Sequence, residues 1–184
     1  MLRHMDLGSD KCYQLIAAKN MKEGNGYSIC VQDADNLSET LYGPLSGWPP
    51  GYSVLIIAAY ELTGDYMKAA VALDVFSVVV LYAALLLFFT WWGKRLNYWL
   101  GIGLLVFLGI SSAPFYMLFS TDFLALSFYI LASVLFVHWL ETGMHNHILF
   151  GVFVLSAVFS PFFRFGFYPL LFVFPFCLMV MRFV

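Results

Sequence analysis

The chain has 184 residues, of which 62% are hydrophobic, 20% aromatic and 11% charged, and its mean hydropathy is +0.84. A soluble domain carries about 25% charged and about 45–50% apolar residues, and a chain this size must still cover itself with polar surface, so the composition excludes an ordinary water-soluble globule. The formal net charge of -2, with no basic patch, excludes an electrostatic nucleic-acid binder.

The charges are unevenly placed. Residues 1–68 hold thirteen of the twenty charged side chains, and the remaining seven are Asp74, Lys94, Arg95, Asp122, Glu141, Arg164 and Arg182. The chain therefore divides into a polar segment, 1–68, carrying juxtamembrane helices, and a transmembrane helical region, 69–184. No internal repeat, low-complexity linker or cleavable signal peptide is evident. Met1-Leu2-Arg3-His4 leads straight into polar sequence and Phe183-Val184 stops at the edge of an apolar run, so the chain reads as a piece of something larger.

In chain order, Ser9 or Asp10 is placed to cap a helix over 10–23, which Gly24 ends. Cys12, Leu15, Ile16 and Lys19 share one side of it, with Tyr13, Ala17 and Asn20 beside them. Such a helix suits a membrane surface, with Lys19 snorkelling. Cys12 and Cys30 both lie in the polar segment and can pair if it is extracytoplasmic. Residues 25–46, rich in Gly, Asn, Asp and Ser, read as loop. Trp48-Pro49-Pro50-Gly51-Tyr52-Ser53 then opens a helix over 50–62, since proline suits a first turn, and Gly64 ends it. Glu61 and Asp65 flank that glycine in a solvated turn.

A membrane-spanning helix needs about 20 apolar residues. Five stretches qualify: 69–92, 97–118, 122–140, the shorter 148–163, and 166–182. The expected fold is all-α, a polytopic membrane protein with about five transmembrane helices plus juxtamembrane amphipathic helices. Asp74, early in the first span, should bond a neighbouring helix rather than face lipid, and Cys177 should pack. His145 and His147 share a short loop, and their alternate spacing suits a helical metal site poorly.

Lys94 and Arg95, between the first two spans, place that loop in the cytoplasm. Threading forward puts residues 1–68, Asp122 and Arg164 outside, and the loop of His145 and His147 inside. Trp91, Trp92, Tyr98, Trp99 and Trp139 then fall near the inner interface, where amphipathic rings sit well. Asp10, Asp122 and Arg164 thus share the outer face on the charge rule alone.

Several segments resemble one family. Asp10-Lys11-Cys12-Tyr13-Gln14-Leu15-Ile16-Ala17-Ala18-Lys19-Asn20, followed by Glu23-Gly24-Asn25-Gly26-Tyr27-Ser28, resembles the first extracytoplasmic loop of GT-C-type membrane glycosyltransferases, the clan of protein O-mannosyltransferases and aminoarabinose transferases. Gly43-Pro44-Leu45 with Trp48-Pro49-Pro50-Gly51-Tyr52 resembles the segment that follows it. Ser120-Thr121-Asp122-Phe123 is similar to a later acidic position, and Phe163-Arg164-Phe165-Gly166 to an arginine segment beyond. The family usually has a second acid where Lys11 stands, a glutamate where Asp122 stands, and more spans than five.

The resemblance implies an inverting transfer of a sugar from a polyprenyl-phosphate donor to a lipid, glycan or protein acceptor, in a multi-pass protein of the bacterial inner membrane. Asp10 is then the catalytic base, with the capping of its own helix as the alternative. Asp122 is a supporting acid or an interfacial N-cap. Arg164 is the donor-phosphate ligand, or an ion-pair partner of Asp122 or Asp10. Tyr13, Trp48 and Tyr52 are acceptor or sugar contacts, or interface packing. No metal ligand is assigned; a divalent metal would serve only to help the phosphate leave. The alternatives to an enzyme are a non-catalytic scaffold of the same fold and a transporter subunit.

Overall fold

A computed structural model describes residues 9–32, 40–92 and 120–183. The first helix, α1 (Ser9–Lys22), matches the capped segment read from the sequence. Gly24 and Gly26 follow it at φ +86° and +71°, a left-handed conformation that glycine enters without steric cost. The chain then forms an antiparallel hairpin, β1 (Ser28–Gln32) and β2 (Thr40–Pro44), with Ser28 opposite Pro44 and Gln32 opposite Thr40. This corrects the expectation of loop over 25–46, and of a fold without strands. The physical reason is a contact outside the strand itself: buried Asn20 of α1 donates to the Ser28 carbonyl at 2.9 Å, fixing β1 against the helix.

The next helix, α2 (Gly51–Thr63), ends at Gly64 in the left-handed conformation. Asp65 then accepts from the amides of Met67 and Lys68 at 2.8 and 2.9 Å. It therefore caps α3 (Tyr66–Trp92) rather than marking a merely solvated turn. Two further helices follow, α4 (Ser120–Glu141) and α5 (His147–Phe163). They are joined through Gly143 and Met144 at positive φ, with Asn146 capping α5 by accepting from the Leu149 amide at 3.0 Å. His145 and His147 are exposed in and beside this turn. The last segment comprises two 3-10 turns (Phe165–Phe167 and Pro169–Phe172) and α6 (Val173–Phe183).

That last segment corrects the expected fifth span, which is not one continuous α-helix. Pro169 has no amide to give an α-helical ladder and follows the permissive Gly166. The second expected span, 97–118, lies outside the described residues, as do Lys94, Arg95, Tyr98 and Trp99. Tyr66–Trp91 and Thr121–Glu141 are long and apolar enough to cross a membrane, and most of their residues are not buried within the chain. α5 is apolar but shorter.

Two clusters hold the helices. The first joins Ala18 of α1, Tyr52 and Ile56 of α2, Ala70 and Leu73 of α3, Leu124 and Ala125 of α4, and Phe163 of α5. The second joins Ala132, Leu135 and Phe136 of α4, Phe153 and Ala157 of α5, and Phe174 of α6, with Cys177 packed against it. Early α3 meets early α4, and late in both helices Trp91 stacks on His138 at 3.7 Å between ring centroids. So α3 and α4 run in the same direction, and α5 returns antiparallel to α4. The starts of α3 and α4 and the end of α5 share one end of the bundle, where α1 and α2 also pack.

Within the protein α1 buries one face and leaves part of the side expected to rest on a membrane, Ile16 and Lys19, exposed. Its buried residues are Lys11, Gln14, Ala17, Ala18 and Asn20, while Tyr13, Ile16 and Lys19 are exposed. The polar groups of α1 dock on the protein because each finds a partner inside it.

Candidate functional site

Asp74, Asp122 and Arg164, three of the seven charged residues beyond the polar segment, collect at one level of the bundle. Asp74 lies eight residues into α3, about 12 Å from its start at 1.5 Å per residue. Beyond it residues 75–92 carry no charge, a stretch of about 27 Å. In α4, Asp122 stands in the first turn, with about 27 Å of uncharged helix beyond it. Arg164 caps the end of α5. These apolar lengths approach the ~30 Å hydrocarbon thickness of a bilayer, with the ionic groups at one boundary and Trp91 and Trp139 toward the other.

The structure brings together Asp10, Asp122 and Arg164, from three separate helix ends. Arg164 Nε lies 2.7 Å from Asp122 Oδ1, and Arg164 Nη1 lies 3.4 Å from Asp10 Oδ2. The shorter contact is electrostatic rather than a directed hydrogen bond, since Asp122 Oδ1 is buried without an aligned donor. The longer one is a hydrogen bond at the edge of the distance range. The side chains of Arg164, Asp10 and Asp122 are 32%, 44% and 40% exposed, so the trio is open to an incoming group. Asp10 and Asp122 both occupy first turns, where a carboxylate is favoured by the helix dipole. Asp122 is the third residue of α4, which removes the N-cap alternative for it.

The ion-pair alternative for Arg164 therefore describes the resting arrangement. Two carboxylates face one guanidinium, which leaves the trio one negative charge in excess. Among the described residues no group of three His, Cys, Asp or Glu side chains could hold a metal ion.

A second ion pair lies beside the trio. Lys11 Nζ reaches Asp74 Oδ2 at 2.5 Å, with side chains only 7% and 17% exposed. Sequence reasoning left Asp74 without a named partner, although an acid inside an apolar run demands one. Lys11, adjacent to Asp10, was the available cation.

The aromatic candidates divide. Tyr13 is exposed on α1, and its ring lies 5.6 Å from that of Trp48. Tyr13 lies at the surface, while Trp48 is half-buried with its indole nitrogen shielded from solvent. Tyr52 is fully buried in the first core cluster, so its ring packs the interior and cannot meet a sugar. The Pro-Pro-Gly-Tyr segment is instead fixed by polar contacts that the sequence did not disclose. Buried Gln14 donates to the Pro49 carbonyl at 3.4 Å and accepts from the Ser53 hydroxyl at 2.5 Å. Tyr27 donates to the carbonyls of Trp48 and Pro49 at 3.1 and 3.2 Å, and burial pushes its phenol up. Cys12 and Cys30 are not joined by a disulfide. A cleft of about 330 Å³ lined by Phe88, Ser133, Val134 and Val137 lies well down α3 and α4 from the trio, rather than around it.

Compared with protein-family models, curated proteins and solved structures, the chain finds no match.

Proposed function

We propose that this chain forms the outer-boundary site of a multi-pass membrane glycosyltransferase. The enzyme moves a sugar from a polyprenyl-phosphate donor to a lipid, glycan or protein acceptor at the extracytoplasmic face of a bacterial inner membrane. The observation that carries the reading is the meeting of Asp10, Asp122 and Arg164 at the level where two helices long enough to cross a membrane begin their uncharged stretches. An amphiphile with an anionic head and an apolar tail places its charge at such a boundary.

In this reading Asp10 takes the acceptor hydroxyl's proton as the bond to the anomeric carbon forms and the phosphate leaves with its electron pair. Arg164 steadies that phosphate through its guanidinium edge. Asp122 holds Arg164 from the Nε side, leaving the Nη groups to turn from Asp10 to the donor. Tyr13 and Trp48 supply aromatic surface for the acceptor. A transporter has less support, because the ionic groups gather at one boundary instead of at mid-membrane.

The test is transfer of labelled sugar from polyprenyl-phosphate donors in membranes containing the protein. Asp10→Asn keeps the shape and removes the base, so transfer should fall by roughly 10²–10⁴-fold. Arg164→Ala should weaken donor binding as well as turnover. Undiminished transfer in Asp10→Asn would remove Asp10 from the chemistry. Absence of transfer from every donor with the unaltered protein would favour the scaffold of the same fold.

A further inference from the structure

We infer that Lys11 and Asp74 are a positioning pair, which fixes the depth and rotation of α1 and so holds Asp10 against Arg164. The catalytic meaning of that position rests on the function proposed above, while the geometric claim stands without it.

The argument begins with what anchors α1. Its fully buried apolar residues are Ala17 and Ala18, each with little area to bury, and Leu15 is only partly covered. Apolar burial therefore gives the helix a weak preference for one depth. Its other anchors are polar. Gln14 bonds Ser53, Tyr27 and Pro49 at mid-helix, Asn20 bonds Ser28, and Lys22 pairs with Glu61 at 2.7 Å. These hold the middle and the end of the helix to α2 and the hairpin, and none of them reaches α3, α4 or α5.

The first turn reaches those helices by two ion pairs. Asp10 to Arg164 is long and solvent-accessible, the kind of contact that contributes little by itself. Lys11 to Asp74 is short and largely shielded from water, and it spans 63 residues of sequence. Removing either partner strands a shielded charge, so the pair strongly favours one placement. Residues 10 and 11 are neighbours, about 100° apart around a helix of 3.6 residues per turn. Fixing the Lys11 side chain on Asp74 thus fixes the direction in which Asp10 projects.

The experiment measures α1 directly. Spin labels are placed at Ile16→Cys and Met67→Cys, both exposed positions, with Cys12, Cys30 and Cys177 replaced by serine. Distances are measured in phospholipid vesicles by pulsed electron resonance, and thermal unfolding is followed alongside. The parent should give one narrow distribution, and Asp74→Glu, which keeps the charge, should preserve it. The apolar pair Lys11→Met/Asp74→Leu should unfold no lower than the parent, since apolar replacement of a buried ion pair is often neutral. Its distance should nevertheless shift or broaden on the order of a helical turn, about 5 Å.

A narrow, unshifted distance in the folded apolar pair overturns the inference, and so does an equal displacement in Asp74→Glu. Should the apolar pair not fold, the neutral pair Lys11→Gln/Asp74→Asn decides by the same criterion. Sugar transfer on these variants separates the two claims. A displaced α1 with unchanged transfer overturns the catalytic importance of Asp10's position. An unaltered protein without transfer removes the proposed function and leaves the positioning of α1 to the distance result.

Discussion

Gly51→Ala sets two effects of opposite sign against each other. Gly51 opens α2 and lies against Phe162 in the last turn of α5. A β-carbon there would come closer than 3.0 Å to the Phe162 carbonyl oxygen, its carbonyl carbon and its ring. Alanine in a helix is favoured over glycine by roughly 0.5–1 kcal/mol. Against this, the obstructing atoms include backbone, which cannot swing aside as a side chain can. Restoring ordinary contact requires α2 and α5 to part by about 1 Å, and a gap of 0.5–1 Å forfeits about a quarter to a half of the dispersion at the contact. The buried side chains nearest that seam are Tyr52, Ile56 and Phe163. Overpacking of this kind costs about 1–3 kcal/mol, so at the middle of these ranges it wins by about 1 kcal/mol after the helix preference is subtracted. In thermal unfolding of the purified protein this lowers Tm by about 2–4 °C, the shift per kcal/mol for a chain of this size. Gly47→Ala is the control, because a β-carbon at Gly47 meets nothing within 4 Å, and its Tm should match the parent. A Gly51→Ala protein as stable as the parent, or more so, would refute the steric argument. Phe162 also precedes Arg164 by two residues, so the same displacement should reduce sugar transfer by about 10²-fold, the cost of a misplacement near 1 Å.

Two further perturbations follow from the polar contacts. Ser53→Ala deletes a buried hydroxyl that donates to both the backbone and the side-chain oxygen of Gln14; Tyr27 still donates to that side-chain oxygen, so the loss should destabilise by about 0.5–1.5 kcal/mol, read as a fall in denaturation midpoint with unchanged m-value. The Asp65 carboxyl is held below its ordinary value by hydrogen bonds from the amides of Lys68 and Met67. Its contribution is therefore complete above the unfolded-state value and lost as pH falls through the folded one. The unfolding midpoint of the parent should fall more steeply than that of Asp65→Asn below about pH 4, and parallel curves would show that Asp65 does not cap α3.

The helices that could be read from the sequence were those with local punctuation. Gly24 and Gly64 end α1 and α2 at positive φ, a requirement visible in residue type alone. The charge-poor runs gave α3, α4 and α5 to within a few residues, because an apolar stretch of that length has few other uses. The hairpin was hidden because what fixes it lies outside the strands. Ile29 and Val31 favour a strand, but surrounding Asn, Asp, Gly and Ser dominate the local pattern, and Asn20 of α1 is what fixes the strand's edge. The trio of Asp10, Asp122 and Arg164 could be placed at one boundary by counting charges between spans. The ion pairing of Arg164 with Asp122 or Asp10 was legible as an alternative; that Arg164 divides its contacts between both helix starts was not. For Tyr52 the sequence left a sugar contact and packing both open, and the close approach permitted by Gly51 draws its ring into the core.

The polar face of α1 has a calorimetric consequence. Exposing apolar surface raises heat capacity and exposing polar surface lowers it, and denaturant sensitivity scales with total area exposed. Undocking a helix that buries Lys11, Gln14 and Asn20 beside two alanines would therefore change heat capacity little and respond weakly to urea. Such an opening is nearly silent to the two methods most used to follow unfolding, yet it exchanges the amide protons of one helix while the remaining helices keep theirs. Hydrogen exchange resolved by residue is the measurement in which α1 would separate from the bundle it rests on.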